Sequence, residues 1–137
     1  MPQIFEVQQI TIVRSGLTDP DEAPMQGFEG APDAWVEVDH RYADALKGIT
    51  AGQDVVLITW FHLSRRDVLQ VHPRSDETRP LTGVFATRSP ERPNPLGLHR
   101  VTVREIEGTR LRVGPLEAVD GTPIVDIKPV LDNVADA

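Results

Sequence analysis

Residues 83–98 read GVFATRSPERPNPLGL, and within them Arg88, Ser89, Arg92 and Asn94 are interleaved with Pro90, Pro93 and Pro95. Three prolines within six residues fix three backbone torsions and remove three amide donors, so the segment is expected to be a stiff extended loop. Such a loop holds two guanidinium forks, a hydroxyl and an amide in fixed places. A planar guanidinium suits a carboxylate or a phosphate better than a lysine point charge does, so ligand binding is one reading of this loop. A structural turn, with Arg88 bonding backbone carbonyls to cap a barrel end, is the other.

The rest of the chain narrows the chemistry. With no cysteine there is no disulfide, no thiol nucleophile, no iron–sulfur ligand and no cysteine-based zinc site. The four histidines, His40, His62, His72 and His99, show no close pairing, and no metal is expected. No G-x-G-x-x-G, P-loop or G-x-S-x-G stretch occurs, which leaves dinucleotide, nucleoside-triphosphate and α/β-hydrolase chemistry without support. The net charge of −7 argues against general coating of nucleic acid, but it is unevenly spread. Residues 1–60 carry −7, residues 61–112 carry +4 and residues 113–137 carry −4. All ten cations of the middle block are arginines. A surface of solvated arginines is the plain reading of most of them.

These groups need elements to hold them. The 137 residues suit a single domain, and twelve prolines spread from Pro2 to Pro129 leave little room for long helices. Strands are expected over Ile4–Val13, Trp35–Val38, Asp54–Phe61, Leu81–Thr87 and Ile124–Lys128. A hairpin around Glu107-Gly108 is expected to carry Val101, Val103, Leu111 and Val113 on one face and Arg104, Arg110 and Arg112 on the other. One short helix is expected from a cap at Asp39 through Leu46 to Gly48, and a long loop from Ser15 to Pro32. The fold class is all-β, mainly antiparallel, a small single-domain barrel or sandwich with one short helix. No apolar run approaches the roughly 18 residues a membrane-spanning helix needs. The N-terminus also lacks a basic stretch followed by an apolar one, so a soluble, cytoplasmic protein is expected.

Four motifs in order carry a resemblance: IVRS (Ile12–Ser15), WFH (Trp60–His62), GVFATRSPERPNPLGL and DGTPIVDIKP (Asp120–Pro129). Together they resemble the TsaA-like, or TrmO-type, family of S-adenosylmethionine-dependent tRNA methyltransferases. The resemblance runs from about Ile10 to Asp132. It implies a small β-barrel, unlike the Rossmann-type methyltransferases, that forms a homodimer and binds S-adenosyl-L-methionine at the protomer edge. The implied reaction is methylation of N6 of threonylcarbamoyl-adenosine beside the anticodon of tRNA. The family's additional C-terminal domain is expected to be absent, with residues 1–137 a single barrel domain.

By resemblance the cofactor-binding residues are Gln26, His62, Leu63, Arg88, Leu98, Asp120, Gly121, Thr122 and Pro123. Asp126 and Lys128 lie on one strand face by period two; they either pair with each other, or Asp126 accepts the N6 proton with Lys128 beside it. RNA contact is expected from Arg65, Arg66, Arg92 and Asn94, which flank the cofactor residues within the basic block. Two further readings stay open: a non-catalytic module that binds or senses S-adenosylmethionine, and a methyltransferase acting on a small molecule.

Overall fold

Alternation builds the structure. Along Asp54–Trp60 the side chains of Val55, Leu57 and Thr59 are buried and those between them half-buried, the period-two signature of a strand with one face on a core. The same rhythm brings Gly97, His99, Val101 and Val103 inward along Leu96–Glu107, and Leu111 and Val113 along Arg110–Gly114. The computed structural model describes residues 2–16 and 31–131. Among these residues the strands are β1 (Thr11–Arg14), β2 (Ala34–Glu37), β3 (Asp54–Trp60), β4 (Gln70–Val71), β5 (Thr82–Gly83), β6 (Leu96–Glu107), β7 (Arg110–Gly114) and β8 (Pro123–Pro129). Six of them close an antiparallel barrel in the order β1-β2-β7-β6-β3-β8, while β4 and β5 form a separate two-stranded ribbon. Closure leaves the barrel no unpaired edge. The expected all-β, antiparallel barrel is therefore what forms.

The interior is narrow and filled by Val13, Val36, Val55, Leu57, Val101, Val103, Leu111, Val113, Leu116 and Ile124. Short β-branched side chains suit both the pleat and the limited space of a small barrel. At the β6–β7 turn Gly108 has φ +63°, and at the turn before β8 Gly121 has φ +86°, positions that favour glycine.

Three expected elements differ. Ile4–Val13 is a strand only from Thr11; Ile4 and Phe5 are 89% and 79% exposed, because no neighbouring strand continues far enough to pair with them. Leu81–Thr87 is a strand only at Thr82–Gly83 and then bends into a 3₁₀ turn at Val84–Ala86. The Val84 carbonyl there accepts from the Thr87 amide at 3.0 Å and from Arg92 at 2.7 Å, which ends the ladder. The short helix after Asp39 is 3₁₀ over His40–Leu46, capped by the Asp39 carboxylate on the Arg41 amide and followed by Gly48 at φ +103°. No helix among the described residues is long and apolar enough to cross a membrane.

Candidate functional site

Strand register places the site. The last residues of β1 pair with the first of β2 (Arg14 with Trp35), the last of β3 with the first of β6 (Trp60 with Leu96), and Ile12 with Pro123 at the start of β8. The connections 15–33, 61–95 and 115–122 therefore all leave the barrel at one end. His62, Leu63, Arg88, Asp120, Gly121 and Thr122 lie on these connections, with Pro123 and Leu98 on the strands that continue from them. Gln26 falls outside the described residues.

The Asp120-Gly121 turn is fastened to β1. The Gly121 amide donates to the Val13 carbonyl at 2.7 Å, the Ser15 amide donates to Asp120 Oδ1 at 3.0 Å, and the Thr122 hydroxyl donates to the Val119 carbonyl at 2.8 Å. A Cβ at Gly121 would meet nothing within 4 Å, so the turn's backbone is open to close approach.

The arginine loop is fastened to the segment after β3. The Arg92 amide donates to the Arg65 carbonyl at 3.2 Å; Arg66 Nε donates to the Pro93 carbonyl at 2.7 Å and its Nη2 to Asn94 Oδ1 at 3.1 Å. The Arg66 guanidinium also lies 5.1 Å from the Trp60 ring centroid, a cation–π distance. Arg92 turns inward and donates to the carbonyls of Val84 (2.7 Å), Ser89 (3.0 Å) and Thr87 (3.3 Å). It stitches the loop closed, so the carbonyl-bonding role offered as the alternative for Arg88 falls to Arg92, which was expected to face RNA and instead points into the loop.

Nearly every arginine of the basic block has a partner. Arg65 grips Asp67 with two bonds of 2.9 and 3.0 Å, which lowers the Asp67 pKa from the ordinary carboxylate range and raises that of Arg65. Arg79 pairs with Asp76, Arg100 with Asp54, Arg104 with Asp33, Arg110 with Glu107, and Arg112 with Asp33 and Glu105. Arg88 is exposed and has no hydrogen-bond or ion-pair partner among the described residues. It sits on the loop stiffened by Pro90, Pro93 and Pro95, at the end where the other candidate segments emerge. A solvated guanidinium held this way is ready to receive a carboxylate in a bidentate pair.

Asp126 and Lys128 lie further along β8, three and five residues beyond Pro123. They pair at 3.2 Å on the outer face of β8, opposite Ile58 and Val56 of β3. Asp126 is half-buried and lines an open cleft of about 440 Å³ together with Ile58, Leu96, Val125, Val7, Gln8 and Tyr42. Among the described residues no group of three or more histidines, aspartates or glutamates is placed to hold a metal ion.

One constellation escaped the sequence reading. His99 is buried inside the barrel, with Nε2 2.7 Å from the Thr59 hydroxyl and Nδ1 2.5 Å from Glu117 Oε1. The signal was the placing of His99 on the same face as Val101 and Val103, two and four residues on, which predicts a side chain aimed into the core.

A closed six-stranded antiparallel barrel with three of its connections leaving at one end defines the class of small β-barrels. Within that class the chain belongs to the family of the tRNA-methyltransferase O N-terminal domain, whose model matches residues 12–136. It is 38% identical over 130 residues to a protein of Methanothermobacter thermautotrophicus named as a probable S-adenosyl-L-methionine-binding protein, covering 95% of this chain and 93% of that one. It is 34% identical over 136 residues to the tRNA (adenine(37)-N6)-methyltransferase of Escherichia coli, covering 93% of this chain and 58% of that enzyme. The crystal structure of TrmO from Pseudomonas aeruginosa superposes with a TM-score of 0.76 at 30% identity, over 98% of this chain and 61% of that one. The chain thus spans about three fifths of the length of the bacterial proteins.

Proposed function

We propose that this protein binds S-adenosyl-L-methionine at the loop-bearing end of the barrel and transfers its methyl group to N6 of an adenosine in tRNA, with threonylcarbamoyl-adenosine beside the anticodon as the substrate. The observation that carries the reading is Arg88, the one arginine of the basic block without a partner among the described residues, presented on a loop that Arg92 and Arg66 hold rigid. The chemistry of the surrounding groups fits the cofactor. Arg88 would take the methionyl carboxylate, the exposed Leu63 and Leu98 offer apolar surface to a flat base, and the open backbone at Gly121 admits close contact. Family membership and the name of the Methanothermobacter relative support the same cofactor.

The bound cofactor supplies an activated methyl on a sulfonium, which leaves the protein mainly a positioning task. Asp126 would accept the N6 proton, with the Lys128 ammonium beside it at 3.2 Å. Arg65, Arg66 and Asn94 would face RNA from the edge of the site, with Arg92 behind them as the loop's internal fastener. A homodimer belongs to this reading, because Leu96 and Leu98 leave apolar side chains exposed on the outer face of β6, and a second copy would complete the shallow site. A cytoplasmic location follows from a tRNA substrate. The reading in which the protein only binds the cofactor draws on the Methanothermobacter relative, whose length this chain almost matches.

The test is calorimetric titration with S-adenosylmethionine. Removing Arg88 (Arg88→Ala) is expected to weaken binding by about 1–3 kcal/mol, the scale of a charge-assisted hydrogen bond. Absence of binding to the unmodified protein, or undiminished binding to the variant, would overturn the assignment.

A further inference from the structure

Thr59 is 0% exposed and His99 3%, and with Thr11 and Thr122 they are the buried polar residues among the described residues, in an interior otherwise of valine, leucine, isoleucine and alanine. An apolar residue would fill that space without desolvating a hydroxyl, an imidazole and a carboxylate, so the polar chain needs a reason other than packing. Its ends suggest one. Thr59 lies three residues before His62 on β3, His99 directly follows Leu98 on β6, and Glu117 lies three residues before Asp120. Thr59, His99 and Glu117 are linked at 2.7 and 2.5 Å, so one buried node joins the roots of three segments that emerge at the same barrel end.

Phe61 extends the node outward. Its ring meets the His99 ring edge-on, with centroids 5.7 Å apart and planes at 77°. It also occupies the space above Gly97, where a Cβ would come within 2.5 Å of Phe61 Cε2. The Phe61 amide donates to the Pro95 carbonyl at 2.8 Å, so the turn that follows β3 is locked to the residue just before β6. With carboxylate and hydroxyl bound on opposite ring nitrogens, the His99 ring cannot flip without losing both bonds, and Phe61 rests against a fixed surface.

We propose that the Glu117–His99–Thr59 chain is a positioning device for the cofactor site, with His99 the positioning residue that sets the His62–Leu63 turn, Leu98 and the Asp120–Pro123 turn in one relative arrangement. The inference rests on the cofactor reading above. The device acts through backbone roots and touches no reacting atom.

The experiment compares Thr59→Val, nearly isosteric but without the hydroxyl, with Thr59→Ser, which restores it, and with Val101→Ala, which opens a cavity on β6 and leaves the polar chain whole. Glu117→Gln serves as a second break in the chain should Thr59→Val fail to fold. Two readouts are taken: the dissociation constant for S-adenosylmethionine, and the ligand-free amide resonances of His62, Leu63, Leu98 and Gly121. Thr59→Val is expected to weaken binding by about tenfold and to shift those resonances, Thr59→Ser to remain within about twofold, and Val101→Ala to lose thermal stability with binding within about twofold. If Thr59→Val and Glu117→Gln bind like the unmodified protein, or no more weakly than Val101→Ala, the positioning role is overturned while the cofactor reading stands. If the unmodified protein binds no S-adenosylmethionine, the cofactor reading falls, and unshifted resonances in Thr59→Val would then overturn the positioning role independently.

Discussion

Replacing Gly97 by alanine puts one methyl group where the barrel has no room for it. The new Cβ would stand within 2.5 Å of both Phe61 Cε2 and Thr59 Oγ1, whereas carbon atoms in ordinary contact sit about 3.5–4.0 Å apart. Something must retreat by roughly 1 Å. Thr59 cannot do so cheaply, since it is fully buried and its hydroxyl is engaged with His99 at 2.7 Å. Phe61 is half-buried, and its amide is held by the Pro95 carbonyl. Overpacking of this kind costs about 1–3 kcal/mol, while alanine recovers about 0.5–1 kcal/mol of the backbone entropy that glycine loses on folding. The net expectation is a loss of about 1–2 kcal/mol, or roughly 3–8 °C in the thermal midpoint of a domain this size. Urea denaturation followed by the fluorescence of Trp35 and Trp60 measures it, with Gly83→Ala as the control. A Cβ at Gly83 meets nothing within 4 Å, so that variant should stay within about 0.5 kcal/mol of the unmodified protein. A Gly97→Ala protein as stable as the Gly83→Ala protein would refute the packing described for Phe61, Thr59 and His99.

Other perturbations separate the roles of the charged residues. Arg92→Ala removes the donors to the carbonyls of Val84, Thr87 and Ser89, and should lower stability by about 1–2 kcal/mol while also weakening S-adenosylmethionine binding, because Arg88 rides on the loosened loop. Calorimetry and denaturation on the same sample check both effects. Arg65→Ala breaks only an exposed pair with Asp67; it should leave cofactor affinity within about twofold and raise the tRNA Michaelis constant, with a salt slope shallower by roughly 0.7–0.9. Asp54 accepts from the Thr102 hydroxyl at 2.7 Å and from Arg100, and these bonds hold its pKa below the ordinary value. Because the folded-state pKa is the lower one, the stabilisation is fully present above about pH 4 and fades as pH falls through the native value. Asp54→Asn should therefore be less stable than the parent at pH 6, by under about 1 kcal/mol for so exposed a group, and the gap should close near pH 2 in paired urea denaturations.

The arginine loop shows how far sequence alone reached. Its stiffness was legible because proline fixes φ whatever surrounds it. Which arginine would be left free was not, since Arg88 and Arg92 are chemically identical and their roles are decided by the bend at Val84–Ala86 that brings three carbonyls to Arg92. The core faces of β3, β6 and β7 were legible from period two, and the same rule overran at Ile4–Ile10, where alternation continues without a neighbouring strand to pair with it. Pairings distant in sequence, such as Asp33 with Arg112 and Thr59 with His99, depend on register around a closed barrel, and no local pattern encodes that. The Asp126–Lys128 pair follows from strand geometry alone, one of the two alternatives open at those positions.

The central claim is methyl transfer to tRNA at a site anchored by Arg88. Incubating the purified protein with S-adenosylmethionine labelled in its methyl group and tRNA that carries threonylcarbamoyl-adenosine, then resolving the nucleosides by mass spectrometry, tests it most directly. The account predicts label on N6 of that nucleoside and loss of most transfer in the Arg88→Ala protein. Cofactor binding without label in any nucleoside would contradict the claim and leave a protein that only binds S-adenosylmethionine.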